Sequence, residues 1–235
     1  MILKKIFLLY IILMCSIVVR AQEELCEDTC MHVHGIDISH YKGGVFWQAI
    51  GDNSKMAYVY IKCTEGGDNQ DPQYLNNIAL ARSYGLKVGS YHFYRPKTDQ
   101  QVQVRNFLAQ CRPEQQDLLP MIDIETAGGY GADRFCDSLF KFIALVEEAI
   151  QQKPLLYTYK NFYETYLMGK IDGYPLMIAC YTDEPPVLAD EKDYAMWQYT
   201  AKGHINGIRG HVDKSRFMGQ HSMREIKYVH HRRRD

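Results

Sequence analysis

The feature that most limits the fold is a fivefold alternation of short apolar runs with amphipathic stretches. The runs are "VHGIDIS", "AYVYIKCT", "LKVGSYHFY", "LLPMIDIE" and "PLLYTY". Behind them come helical patterns: "FWQAIG", "PQYLNNIALARSYG", "TDQQVQVRNFLAQC", "ADRFCDSLFKFIALVEEAIQQ" and a short one near "NFYETYLMG". The second of these has Pro72 near its start and Gly85 at its end, as helix punctuation requires. Such alternation builds parallel strands joined by right-handed crossovers. The pattern then changes. "YPLMIACY", "DYAMWQYT" and "GIRGHVD" are strand-like, with little helix between them. An α/β barrel of five βα units followed by bare strands fits this order. An open doubly wound sheet is the alternative.

In both architectures, sites lie at the C-terminal ends of the strands. Acids fall there. Asp37 is near the end of the first strand, Asp123 and Glu125 end the fourth, and Asp213 is expected to end the last, "GIRGHVD". Residues i and i+2 of a strand share a face, about 6.5 Å apart. Asp123 and Glu125 therefore point together, and Ile122 and Ile124 point the other way. Like charges this close raise one pKa, so one acid holds a proton while the other is ionised. Glycoside hydrolysis needs such a pair: an acid to protonate the leaving oxygen and a carboxylate to assist the anomeric centre. Against this stands the plain reading of a polar strand end with solvated acids. Asp37 and Asp213, arriving from other strands, weigh against it.

Aromatic residues also gather on the strands. Sugar rings stack their CH faces on such side chains. Tyr60 and Phe93 read as barrel packing, whereas Tyr157, Tyr181 and Trp197 read as site residues. His92, in "SYHFY", fits either a core or a site position.

The ends read differently. "MILKKIFLLYIILMCSIVVRAQ" has Lys4 and Lys5, an apolar run, and a cleavage-like Val19-Arg20-Ala21. This is signal-peptide architecture. The expected organisation is a signal at 1–21, an N-terminal segment at 22–32, one barrel domain at 33–220 and a basic tail at 221–235. Export to the periplasm or the medium follows, with no membrane partner once the signal is removed. Six cysteines then remain. Cys26 and Cys30 are the expected local pair, and Cys63 and Cys180, in apolar runs, read as buried thiols. No paired CxxC spacing suggests zinc. His32 and His34 read as ordinary strand-edge histidines. A net charge of −1 gives no argument for nucleic acid.

The stretches "HGIDISHY", "YVYIKCTEG", "GLKVGSYHFY", "LPMIDIET", "LLYTY", "MWQYT" and "GIRGHVDKSRF", in this order, resemble glycoside hydrolase family 25, the Chalaropsis-type lysozymes. The resemblance implies a flattened, TIM-like (β/α)5(β)3 barrel. It implies a muramidase that cleaves the β-1,4 bond between N-acetylmuramic acid and N-acetylglucosamine in peptidoglycan strands. By position, Glu125 matches the general acid/base, and Asp123 the acid that assists the substrate's 2-acetamido group. Asp37 and Asp213 match two further acids of the groove. Tyr91, Tyr157, Tyr181 and Trp197 match aromatic positions of the glycan site. The resting arrangement expected is a protonated Glu125 beside an ionised Asp123. No metal or organic cofactor is implied, and the expected state is a monomer. Cys63 departs from the pattern, where a small residue such as Ala is expected. A silent glycan-binding barrel and a chitin-directed relative are the rival readings. "LLPMIDIET" carries only the last pair of a DxxDxDxE-like chitinase strand.

Overall fold

The structure is a computed structural model that describes residues 33–230. The expected signal, Cys26, Cys30, His32 and residues 231–235 lie outside the described residues. Strand β1 (His34–Ile38) leads to α1 (Trp47–Gly51), and β2 (Met56–Glu65) to α2 (Tyr74–Ser83) by way of the two-residue β3 (Asn69–Gln70). Next come β4 (Lys87–Phe93), α3 (Gln100–Gln110), β5 (Met121–Asp123) and α4 (Ala132–Ile150). Strand β6 (Leu155–Tyr159) is followed by the short α5 (Lys160–Phe162), which runs on as a π-helical turn over Tyr163–Leu167. Three strands then follow: β7 (Leu176–Ala179), β8 (Met196–Gly203) and β9 (Val212–Phe217).

Strands β1, β2, β4, β5, β6, β7 and β8 pair in parallel, in that order. Strand β9 pairs antiparallel with both β8 and β1 and closes the ring. The result is an eight-stranded barrel, with β3 a small antiparallel addition to β2. The open-sheet alternative is thereby set aside.

Local chemistry accounts for the helices. In α4, Phe135, Leu139, Phe142, Ile143, Val146 and Ile150 recur at helical spacing and are all buried, the stripe that docks a helix on a barrel. Asp99 caps α3 by accepting from the Val102 N–H at 3.1 Å. Both faces of β2 are buried, one against helices and one inside the barrel.

Two tyrosines fill the barrel interior. Tyr58 pairs in register with Gly35, and Tyr60 with Gly89. Both rings are fully buried. A Cβ at Gly35 would stand 1.9 Å from the Tyr58 ring, and one at Gly89 would stand 2.3 Å from the Tyr60 ring. The glycines are therefore required by the space the rings occupy. Each phenol has a partner: Tyr58 with Ser215 Oγ at 3.1 Å, and Tyr60 donating to the Leu119 carbonyl at 3.1 Å.

Three expectations need correction. Asp213 is the second residue of β9 instead of the end of a strand at "GIRGHVD". Gly207 and Gly210 take positive φ there and make that stretch a loop. Because β9 runs antiparallel, its start lies at the same barrel mouth as the ends of the parallel strands. Second, the chain stays packed past residue 220. Ile226 and Tyr228 are buried, Leu119 N–H donates to Ile226 O at 2.7 Å, and Tyr228 N–H donates to Asp117 O at 2.9 Å. Two apolar positions, spaced as in a strand, pull this segment under the start of β5. Third, Cys180 falls just past β7 and is half-buried, whereas Cys63 is fully buried.

Gly89→Ala is expected to cost about 1–3 kcal/mol of stability through overpacking against Tyr60. Gly44→Ala, where a Cβ would meet nothing within 4 Å, serves as the control. Urea denaturation of the two variants is the measurement, and equal midpoints would refute the packing argument.

Candidate active site

Alternation along each strand decides which side chains enter the barrel mouth. On β4, Tyr91 points in and His92 points out. On β8, Gln198 points in and Trp197 points out. The side chains that point in surround a cavity of about 110 Å³. Asp37, Asp123, Glu125 and Asp213 line it, together with Tyr91, Met121, Tyr157, Tyr159, Tyr181 and Gln198. The four acids thus converge from three places on the barrel: β1, the end of β5 and the start of β9. Asp37 and Asp213 are directly opposed across the β1–β9 pair.

Two predicted residues lie elsewhere. His92 is fully buried outside the barrel wall, between Phe107 and Phe142. Its Nδ1 meets Thr64 Oγ1 at 2.7 Å and its Nε2 meets Gln103 Oε1 at 3.2 Å. Burial holds its pKa down to about 4, so it is a neutral core residue. Trp197 also faces outward. Its Nε1–H donates to the Cys180 carbonyl at 2.8 Å, and Arg216 lies over its ring. Tyr60 belongs to the core, as expected. Phe93 is half-buried between the cations of Lys62 and Arg95.

Tyr159, Gln198 and Met121 were missed. Tyr159 stands two residues past Tyr157 and shares its face, a period-two signal that was available. Gln198 was available too, since a site-facing Trp197 and a site-facing neighbour exclude each other on one strand. The choice between them needed the barrel.

One wall of the cavity is a hydrogen-bonded set. Gln198 Nε2 donates to Asp37 Oδ1 at 2.7 Å. Gln198 Oε1 accepts from the hydroxyls of Tyr157 and Tyr181, each at 2.9 Å. The Tyr159 ring stands edge-on to those of Tyr157 and Tyr181. Tyr159 and Tyr181 are exposed, at 36% and 48%, and offer ring faces to a ligand. Opposite this wall, Lys62 is buried and paired with Glu65 at 2.6 Å, and Arg95 also binds Glu65.

Every acid of the mouth is held above the usual carboxylate range. Burial is the largest cause for Asp37, and Asp213 across the strand pair adds to it, while Gln198 and Lys42 oppose. For Asp123, burial leads and the Glu125 charge follows. Glu125 rises through burial, with a hydrogen bond from Asp123 opposing and the Asp213 charge adding. Asp213 rises through burial against the pull of Lys42. Asp37 Oδ2 and Asp123 Oδ1 are shielded from solvent and have no partner. Asp123 is only 6% exposed and Glu125 is half-buried. Asp123 is thus the more deeply buried of the pair and Glu125 the more accessible. Among the described residues, no group of three His, Cys, Asp or Glu is arranged to hold a metal ion.

Known proteins share this arrangement of chain. The family profile described as "Glycosyl hydrolases family 25" matches residues 36–208. An uncharacterized protein of Escherichia coli K12, YegX, is 32% identical over 191 residues, covering 80% of this chain and 70% of its own. The autolytic lysozyme of Clostridium acetobutylicum is 32% identical over 184 residues, covering 78% of this chain and 55% of its own. The crystal structure of a bacterial lysozyme from Streptomyces coelicolor superposes with a TM-score of 0.73 at 27% identity, over 80% of this chain and 93% of that one. With the barrel order and the acid-lined mouth already in place, the family match over most of the chain decides the matter: the chain belongs to glycosyl hydrolases family 25 and is a glycoside hydrolase.

Proposed function

We propose that the protein is a peptidoglycan muramidase, cleaving the β-1,4 bond between N-acetylmuramic acid and N-acetylglucosamine, with Glu125 as general acid/base. The observation that carries this reading is the convergence of four shielded acids on one mouth walled by tyrosines, in a chain of this family. A signal-like N-terminus supports export to a compartment that holds such a polymer.

Burial supplies the energetic logic. An acid whose pKa is raised towards the working pH keeps a larger share of its proton and can give it to a leaving group. In the empty groove Asp123 competes with Glu125 for that proton. A 2-acetamido group changes the balance. Its N–H gives the Asp123 carboxyl a hydrogen bond, which favours the ionised form of Asp123. The proton then resides on Glu125, beside the glycosidic oxygen. As the C–O bond breaks, Glu125 protonates the departing oxygen. The acetamido oxygen bonds to the anomeric carbon, and its N–H remains on Asp123. Water then opens this ring, giving one proton to Glu125, and the configuration is retained. Asp37 and Asp213 place negative potential near the positive centre as it forms. Tyr91, Tyr157, Tyr159 and Tyr181 contact the sugar.

Digestion of purified peptidoglycan, borohydride reduction and mass spectrometry test the bond. Products ending in reduced muramic acid are expected, and products ending only in reduced glucosamine would refute the assignment. Glu125→Gln should lower turnover by roughly 10²–10⁴-fold with the fold intact. A variant that turns over at the wild-type rate would remove Glu125 from the mechanism.

The raised acids also carry a stability cost with a definite sign. A carboxyl whose folded pKa lies above its unfolded value destabilises the fold as pH rises through the unfolded value, about 4. Asp213→Asn should therefore stabilise the protein near pH 7, with Lys42 opposing part of the gain. The gain should fade as pH drops through about 4. Melting curves at both pH values check this, and an equal gain at each would contradict it.

A further inference from the structure

Gln198 touches three walls of the groove at once and is itself only 2% exposed. Its amide reaches Asp37 on β1, Tyr157 on β6 and Tyr181 just past β7. A primary amide has fixed polarity: the nitrogen donates and the oxygen accepts. An ionised carboxylate only accepts, so Asp37 forces the nitrogen towards β1 and Oε1 towards the tyrosines. Both phenol protons are then committed to Oε1. Their oxygens meet anything else in the groove, the neighbouring Tyr159 hydroxyl included, as acceptors. This wall therefore asks for donors.

Building on the muramidase reading, we propose that Gln198 is a positioning residue: it holds Asp37 in place and turns Tyr157 and Tyr181 into acceptors for the N–H and O–H donors of the bound sugar. The charge on Asp37 thereby selects the polarity of a wall it touches only through Gln198. A proton on Asp37 weakens that constraint: carried on Oδ1 it lets the amide turn its oxygen to Asp37, and both tyrosines are then released from Oε1, whereas on Oδ2 it leaves Oδ1 an acceptor. Sugar recognition and the ionisation of Asp37 are coupled through one side chain.

Several groups act on Asp37. Asp213 faces it from β9, Asp123 and Glu125 from the end of β5, and Lys42 from the turn after β1. The phenols of Tyr58, Tyr91, Tyr157 and Tyr181 face it too. Burial and the acids drive its pKa up, and the Gln198 donor draws it down. Removing that donor raises it further.

The test begins without substrate. In the full chain, the side-chain ¹⁵N–¹H pair of Gln198 should shift with pH at a midpoint above the ordinary carboxylate range. Asp37→Asn should abolish the shift. In kinetics on peptidoglycan, Gln198→Met should lower kcat by roughly 10–100-fold, with a smaller change in KM. It should also move the acidic limb of the pH profile upward. Gln198→Glu keeps an acceptor for both tyrosines but sets a carboxyl against Asp37, and should move that limb further still. A Gln198 resonance that ignores pH would overturn the proposal. So would a folded Gln198→Met with wild-type kcat and limb. If Gln198→Met fails to fold, the titration and Gln198→Glu decide. If wild-type protein releases no muramic ends, the muramidase reading fails, while the titration still judges Gln198 alone.

Discussion

The site depends on the antiparallel pairing of β9 with β1. That pairing closes the barrel, and it sets Asp37 directly opposite Asp213. Like charges at facing positions are unfavourable in an ordinary sheet. Here the ladder of backbone hydrogen bonds fixes them together, and burial denies them full hydration. The same ring of strands then brings Asp123 and Glu125 to the mouth from the end of β5. A mouth built this way resists ionising all its acids at once. That resistance favours a retained proton, which is what an acid catalyst needs.

The lower half of the barrel makes this bearable. Tyr58 and Tyr60 fill the interior beneath the acids, each with its hydroxyl satisfied. Gly35 and Gly89 leave room for the two rings. A packed floor keeps water from rising through the barrel, so the acids meet solvent only from the groove. The chain past residue 220 adds a further layer below through Ile226 and Tyr228. Stability is concentrated beneath the site and electrostatic conflict above it.

Much of this was legible in the sequence. Strand–helix alternation five times, then bare strands, is a statement about topology, and the barrel follows it. The i, i+2 spacing of Asp123 and Glu125 put two acids on one face, and Ile122 and Ile124 are fully buried on the other. What failed was facing and direction. Trp197 and Gln198 are neighbours, and composition favoured the aromatic; only the register of β8 decides that Gln198 enters the groove. His92 was ambiguous because a buried imidazole looks alike in a core and in a site until its partners are seen. Asp213 was placed at the right mouth for the wrong reason. It was read as a strand end when it is a strand start, and the antiparallel sense of β9 cancels the error. The tail was read from its charge, while Ile226 and Tyr228 are two apolar residues too few to register as an element.

The difference in depth within the Asp123–Glu125 pair has a consequence for the proposed reaction. With Asp123 the deeper group, a proton shared by the pair would be drawn to Glu125 when a hydrogen-bond donor reaches the Asp123 carboxyl. The acetamido group is such a donor, and its oxygen is the nucleophile of the proposed reaction. One functional group would then both arm the acid and supply the attacking atom. A sugar lacking it would bring neither the donor for Asp123 nor the nucleophile. Selectivity for N-acetylated sugars would thus come from two losses that compound, with no need for a steric filter in the groove.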